Sequence, residues 1–112
     1  LQDGIPTNAL KVIKGSSTAY TAPSGAKCST GVTARSGYVA VDPKKIPYGS
    51  ELYIVSADGK KVYGYAIAAD TGGFVHNSNT VVDLYMNSNA QCTQWGRRNV
   101  VIYVLSWGTW GK

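Results

Sequence analysis

The chain has 112 residues, of which 44% are hydrophobic, 11% aromatic and only 15% charged, with a formal net charge of +5. That length fits one domain and allows a buried core without a metal or a dense disulfide net. The apolar and aromatic content excludes intrinsic disorder, no apolar run approaches the roughly 18 residues needed to span a bilayer, and 13 Gly and 8 Tyr with one Met point to a turn-rich β domain rather than a helical bundle.

In chain order, residues 1–9 read as an irregular lead-in, and Leu1 to Thr7 as a cut end without a visible signal peptide. Leu10 to Tyr20 reads as a first strand broken near Gly15-Ser16, followed by a Pro/Gly/Ser loop to Lys27 and a small, polar stretch over 28–37. Tyr38–Val41 is a short apolar strand stopped by Asp42-Pro43. Glu51–Ser56 alternates as a strand, and Asp58-Gly59 turns it back into Val62–Ala69. Asp70-Thr71-Gly72-Gly73 is a sharp loop, and 76–80 is polar and turn-rich. Val81–Tyr85 is strand-like again. Residues 87–95 predict a short helix with Ser88 or Asn89 as N-cap and Gly96 just past its end. Val100–Leu105 is the last strand, and 107–112 a Gly-punctuated tail carrying Trp107 and Trp110. Six short strands and one or two short helices predict an all-β barrel occupying residues 10–106, with no internal boundary.

The positive balance points to an anionic partner: nucleic acid, an acidic lipid surface or a wall polymer. The bases are scattered (Lys11, Lys14, Lys27, Lys44-Lys45, Lys60-Lys61, Arg97-Arg98) and form no stripe or reader motif, which speaks against nucleic acid. Cys28 and Cys92 make no CxxC, and a single histidine, His76, does not complete a metal site with them. They are either a disulfide, in an exported chain, or two buried free thiols. No metal or other cofactor is expected.

Carboxylates are few and therefore informative. Asp42, Asp70 and Asp83 each follow an apolar strand, and aspartate is a poor strand residue that is costly beside buried positions unless paired. Three such groups at strand ends would converge on one mouth of a barrel. Close, partly desolvated carboxylates move each other's pKa apart, the pattern that glycosidic bond cleavage needs. The plain alternative is that each caps a turn, most naturally Asp42 before Pro43 and Asp70 before Thr71-Gly72. No nucleophile motif accompanies His76, and Thr71-Gly72-Gly73 is not a phosphate loop, because no Lys-Ser/Thr follows.

Five segments occur in order: Thr18-Ala19-Tyr20-Thr21; Val39-Ala40-Val41-Asp42-Pro43 with Ile46-Pro47-Tyr48-Gly49-Ser50; Ala69-Asp70-Thr71-Gly72-Gly73; Val82-Asp83-Leu84-Tyr85; and Trp95-Gly96-Arg97-Arg98. Together they resemble the 3D domain, named for three aspartates, found in the stationary-phase survival (Sps) family and in resuscitation-factor-like wall proteins. The resemblance implies a six-stranded double-psi β-barrel like the catalytic domain of MltA-type lytic transglycosylases, and action on peptidoglycan outside the cell membrane. It implies Asp83 as the acid/base, Asp70 as a supporting carboxylate and Asp42 as organiser of its loop, with Thr18 and Tyr20 lining the groove. Segment 74–80 is a residue or two longer than in familiar members and lacks their glycines.

The resulting expectation is a peptidoglycan lytic transglycosylase that cleaves the MurNAc-GlcNAc β-1,4 bond and forms 1,6-anhydro-MurNAc. Thr71, Gly72 and Gly73 would let backbone approach the sugar. Tyr20, Tyr85 and Trp95 are candidate stacking surfaces or, alternatively, core residues. The rival readings are a glycoside hydrolase using two aspartates and a wall-binding module without turnover. The expected location is the cell wall, without membrane insertion.

Overall fold

The computed structural model describes residues 8–23, 25–72 and 80–110. Gly73, His76 and the long segment 74–79 lie outside the described residues, as do 1–7 and 111–112. The elements are β1 (Lys11–Tyr20), β2 (Tyr38–Ala40), β3 (Glu51–Ser56), β4 (Val62–Asp70), β5 (Thr80–Tyr85), α1 (Asn89–Trp95) and β6 (Arg98–Ser106).

Six strands close a barrel in the order β1-β5-β2-β4-β3-β6. The pairs β1·β5 and β2·β4 are parallel and the other four antiparallel. Closure leaves no strand edge among these six, which suits short strands that would be weak in an open sheet. The core is built by alternation. Val39, Leu52, Ile54, Val82, Leu84, Val100, Ile102 and Val104 are fully buried, and each such side chain contributes about 1.5–3 kcal/mol of burial.

Two local expectations need correction. Gly15 does not break β1, which runs unbroken to Tyr20 through a register shift between Ser16 and Ser17. A Cβ at Gly15 would lie 2.5 Å from Cγ1 of Val81, so the glycine serves close packing of β1 on β5. The last strand starts at Arg98 rather than Val100, because Ser16 and Ser17 of β1 supply partners for Asn99 and Arg98.

The helix starts at Asn89, capped by Ser88, whose Oγ accepts from the Gln91 N–H at 3.2 Å. Gln91 Oε1 accepts in turn from the Asn87 N–H at 2.9 Å. Gly96, at φ 63°, ends it by donating its N–H to the Cys92 carbonyl. Arg98 closes the C-terminus by donating Nε to the Trp95 carbonyl at 2.7 Å and Nη2 to the Gln94 carbonyl at 3.2 Å. No helix among the described residues is long and apolar enough to cross a membrane.

Candidate functional site

The site is a row across four adjacent strands. Thr18 of β1 pairs with Asp83 of β5, Asp83 with Ala40 of β2, and Ala40 with Asp70 of β4. A register shift between Val39 and Ala40 brings Asp70, rather than Ala69, opposite Ala40. Strand spacing puts the two aspartate backbones roughly 10 Å apart, with only a methyl group between them. Ala40 is itself buried between them.

Asp83 lies between Val82 and Leu84, both fully buried in the core. Period-two alternation therefore turns its side chain to the opposite face of β5, where it is half-buried. Thr18 Oγ1 donates to Asp83 Oδ1 at 2.9 Å. Burial holds the Asp83 carboxyl above the usual aspartate range. The Thr18 bond opposes this, and the charge of Asp70 adds to it. Surface carboxylates behave oppositely. Glu51 is pulled down by hydrogen bonds from Ser106 and Tyr65, and Asp58 by bonds from Ser56 and the Lys60 N–H.

Asp70 ends β4 and is fixed by a loop that sequence reading left without a role. Its Oδ1 accepts from the Ser29 N–H at 2.8 Å, from Ser29 Oγ, and from the Thr71 N–H at 2.8 Å. Thr30 Oγ1 donates to the Ala69 carbonyl at 2.8 Å. The loop is held from both sides of the carboxylate, so Asp70 has little freedom to swing toward Asp83. The signal for Ser29 was only its place in a small, polar stretch.

Asp42 lies two residues beyond Ala40, past the end of β2. Its Oδ1 accepts from the Lys44 N–H at 3.0 Å, and its carbonyl accepts from the N–H groups of Lys45 and Ile46. It caps the turn after β2, and its neighbour Val41 donates to the Asp70 carbonyl at 2.9 Å. The expectation of three carboxylates at strand ends is corrected for Asp83 alone. Two share a row, Asp83 sits inside β5 rather than at its end, and the third shapes a turn beside them.

Tyr20 is half-buried next to this row, with its ring edge-on to Tyr85 at 5.5 Å between centroids. Its hydroxyl has no hydrogen-bond partner among the described residues. Burial, then the charges of Asp70, Cys28 and Asp83, raise its pKa well above the usual phenol value, so it is a neutral donor. Thr71 and Gly72 are half-buried beside Asp70.

The other two candidate platforms are core residues. Trp95 is 6% exposed and donates Nε1 to Ser17 Oγ at 2.9 Å. Tyr85 is 7% exposed, with its hydroxyl toward the Ala22 carbonyl at 3.4 Å. A stacking platform needs an open ring face, which neither offers. The two cysteines are free thiols, Cys28 buried and Cys92 half-buried, so the disulfide alternative gives way to the unbridged one. Burial raises both thiols, with added charge from Asp70 at Cys28 and from Asp83 at Cys92. The Arg pair after Trp95 is structural: Arg98 caps α1, and Arg97 Nη1 donates to Ser16 Oγ and Thr80 Oγ1.

A model of the 3D domain matches residues 35–106, which include Asp42, Asp70 and Asp83. The chain belongs to the 3D domain family. This 3D domain is 38% identical over 104 residues to YabE of Bacillus subtilis (strain 168), named for a suggested role in shaping the cell wall, and covers 86% of this chain and 23% of YabE. It is 35% identical over 107 residues to the cell wall-binding protein YocH of the same organism, covering 88% of this chain and 34% of YocH. The chain therefore spans about a quarter to a third of these relatives. Among solved structures, the lytic transglycosylase MltA of Escherichia coli shares the fold, with a TM-score of 0.57 at 20% identity over 75% of this chain and 28% of MltA. MltA with bound chitohexaose superposes with a TM-score of 0.55 at 18% identity, over 74% of this chain and 28% of that one. The 3D domain is accordingly a double-psi β-barrel of the MltA type.

Proposed function

We propose that this 3D domain is a lytic transglycosylase acting on peptidoglycan glycan strands in the cell wall. The observation that carries the reading is Asp83: a half-buried carboxyl, raised by burial, in one row with a second carboxylate. Such a group holds a proton at higher pH than a surface aspartate and can give it up as a general acid. The fold shared with MltA and the wall-related names of YabE and YocH support the substrate class.

In the first step, Asp83 protonates the glycosidic oxygen as the bond from C1 of MurNAc to that oxygen breaks. Positive charge develops on the MurNAc ring, and the negative Asp70 stabilises it across the row. In the second step, the ionised Asp83 takes the proton of the C6 hydroxyl, whose oxygen bonds to C1 and closes the 1,6-anhydro ring. One carboxyl serves both transfers because the nucleophile is part of the substrate, so no second base has to activate water. Thr18 orients Asp83, the Tyr20 ring packs edge-on against Tyr85 next to the row, and Asp42 fixes the turn beside it. Thr71 and Gly72, half-buried beside Asp70, provide the backbone against which the sugar lies.

The second reading is a wall-binding module, favoured by the name of YocH. Mass spectrometry of purified peptidoglycan after incubation with the protein separates these readings. Anhydro-muropeptides are expected from the native chain and not from Asp83→Asn. Reducing-end products would replace the transglycosylase with a hydrolase. Retained wall binding without any product would leave the binding module.

A further inference from the structure

We infer that Trp110 and Tyr48 form a sugar-stacking subsite that extends the Asp70 side of the groove, taking one N-acetylhexosamine ring of the glycan strand. The inference rests on the glycan reading above and adds a residue beyond the 3D match, which ends at residue 106.

A cleft of about 510 Å³ is lined by Ser29, Thr30, Val32, Tyr48 and Trp110, within the size range of small-ligand pockets. One wall is the same loop that fixes Asp70, because Ser29 donates twice to that carboxylate. The cleft and the carboxylate row are thus two sides of one short segment.

The opposite wall is a pinned tail. The Gly108 N–H donates to the buried Ser50 Oγ at 2.9 Å, and the Trp110 N–H to the Tyr48 carbonyl at 3.1 Å. A Cβ at Gly108 would stand 2.1 Å from the Tyr48 carbonyl oxygen, so only glycine lets the tail seat this deeply. Gly49, at φ 89°, lies under the indole, where a Cβ would meet Trp110 Cδ1 at 2.5 Å. The turn itself is tied to the barrel, since the Gly49 N–H donates to the Ala68 carbonyl, two residues before Asp70.

The tail is therefore fixed, yet 47% of Trp110 remains exposed. A preorganised, open indole beside a cleft loses little entropy on binding. The lining residues carry no charge, which favours a neutral ring over the ionised stem peptide. The apolar face of a pyranose would lie on the indole, and the hydroxyls of Ser29 and Thr30 keep acceptor lone pairs for the sugar hydroxyls and acetamido N–H.

The test is a titration of the intact chain with N-acetylglucosamine oligomers of two to six units, followed by NMR. The Trp110 indole N–H resonance, assigned with Trp110→Phe, is expected to shift on binding. Trp110→Ala should weaken binding by about tenfold, the scale of a lost aromatic contact, and Trp110→Phe should restore part of it. Trp107→Ala, which changes the other exposed tail indole, should leave affinity unchanged. If Trp110→Ala does not fold, the native indole resonance still decides. Shifts around Asp83 with Trp110 unmoved would overturn the subsite and leave the transglycosylase reading standing. A Trp110 shift in a protein that releases no muropeptide would do the reverse. No binding by the folded chain at any oligomer length would overturn the subsite.

Discussion

Replacing Asp83 with Asn keeps the shape of the side chain and an oxygen to accept from Thr18, at 2.9 Å in the native chain, but removes the proton it transfers. General acid-base groups contribute about 10²- to 10⁴-fold to rate, or about 2.7 to 5.4 kcal/mol of barrier. The structure argues for the upper end of that range. Asp70 stands two strands away, and three hydrogen bonds to its Oδ1 anchor it to the loop and its own turn. Among the described residues no other carboxylate shares a hydrogen bond or a strand pairing with Asp83. The same substitution should stabilise the fold in a pH-dependent way. The native pKa of Asp83 lies above its unfolded value, so its favourable contribution is complete only below about pH 4. That contribution is lost as pH rises through the folded pKa. Melting curves of the two proteins should nearly coincide in acid, with the Asn variant gaining toward neutral pH. Muropeptide release and thermal denaturation across that pH range measure both effects. More than a tenth of native turnover in the Asn variant, or a melting gap that widens toward low pH, would refute the reasoning.

Thr18→Val removes the one hydrogen bond that lowers the Asp83 pKa, so the limb of the pH-rate profile that reports this acid should move to higher pH. Ser17→Ala leaves the buried Trp95 indole N–H and the Arg98 carbonyl without their shared partner. It should cost about 2 kcal/mol, or roughly 8–10 °C in Tm, while leaving wall binding unchanged. An equal loss of binding would return Trp95 to the groove. Under non-reducing conditions the denatured chain should take up two alkyl groups per molecule. In the folded state both thiols should react slowly, because burial raises their pKa.

The alternation of Val and Ile over 38–41, 51–56 and 100–105, and the turn residues between them, made a small β-barrel legible from local pattern alone. A cap at Ser88 or Asn89 and the Gly96 stop of α1 were equally plain, because capping depends on adjacent residues, and the structure gives the cap to Ser88. Asp83 also stood out, since a lone carboxylate within Val-Val-Asp-Leu lacks any turn residue to explain it. What the linear order does not contain is register. Which residue lies beside Asp83 depends on parallel pairing of segments 65 positions apart, and one register shift decides whether Asp70 or Ala69 stands opposite Ala40. The same holds for the aromatic residues. Trp95 and Trp110 look alike as letters. The first finds a buried hydroxyl on β1 and joins the core, and the second finds a glycine turn and stays open. Local sequence determined the strands, the helix and the rare carboxylates. Long-range pairing, which no local propensity encodes, decided which of those groups meet, which are buried and which stay exposed.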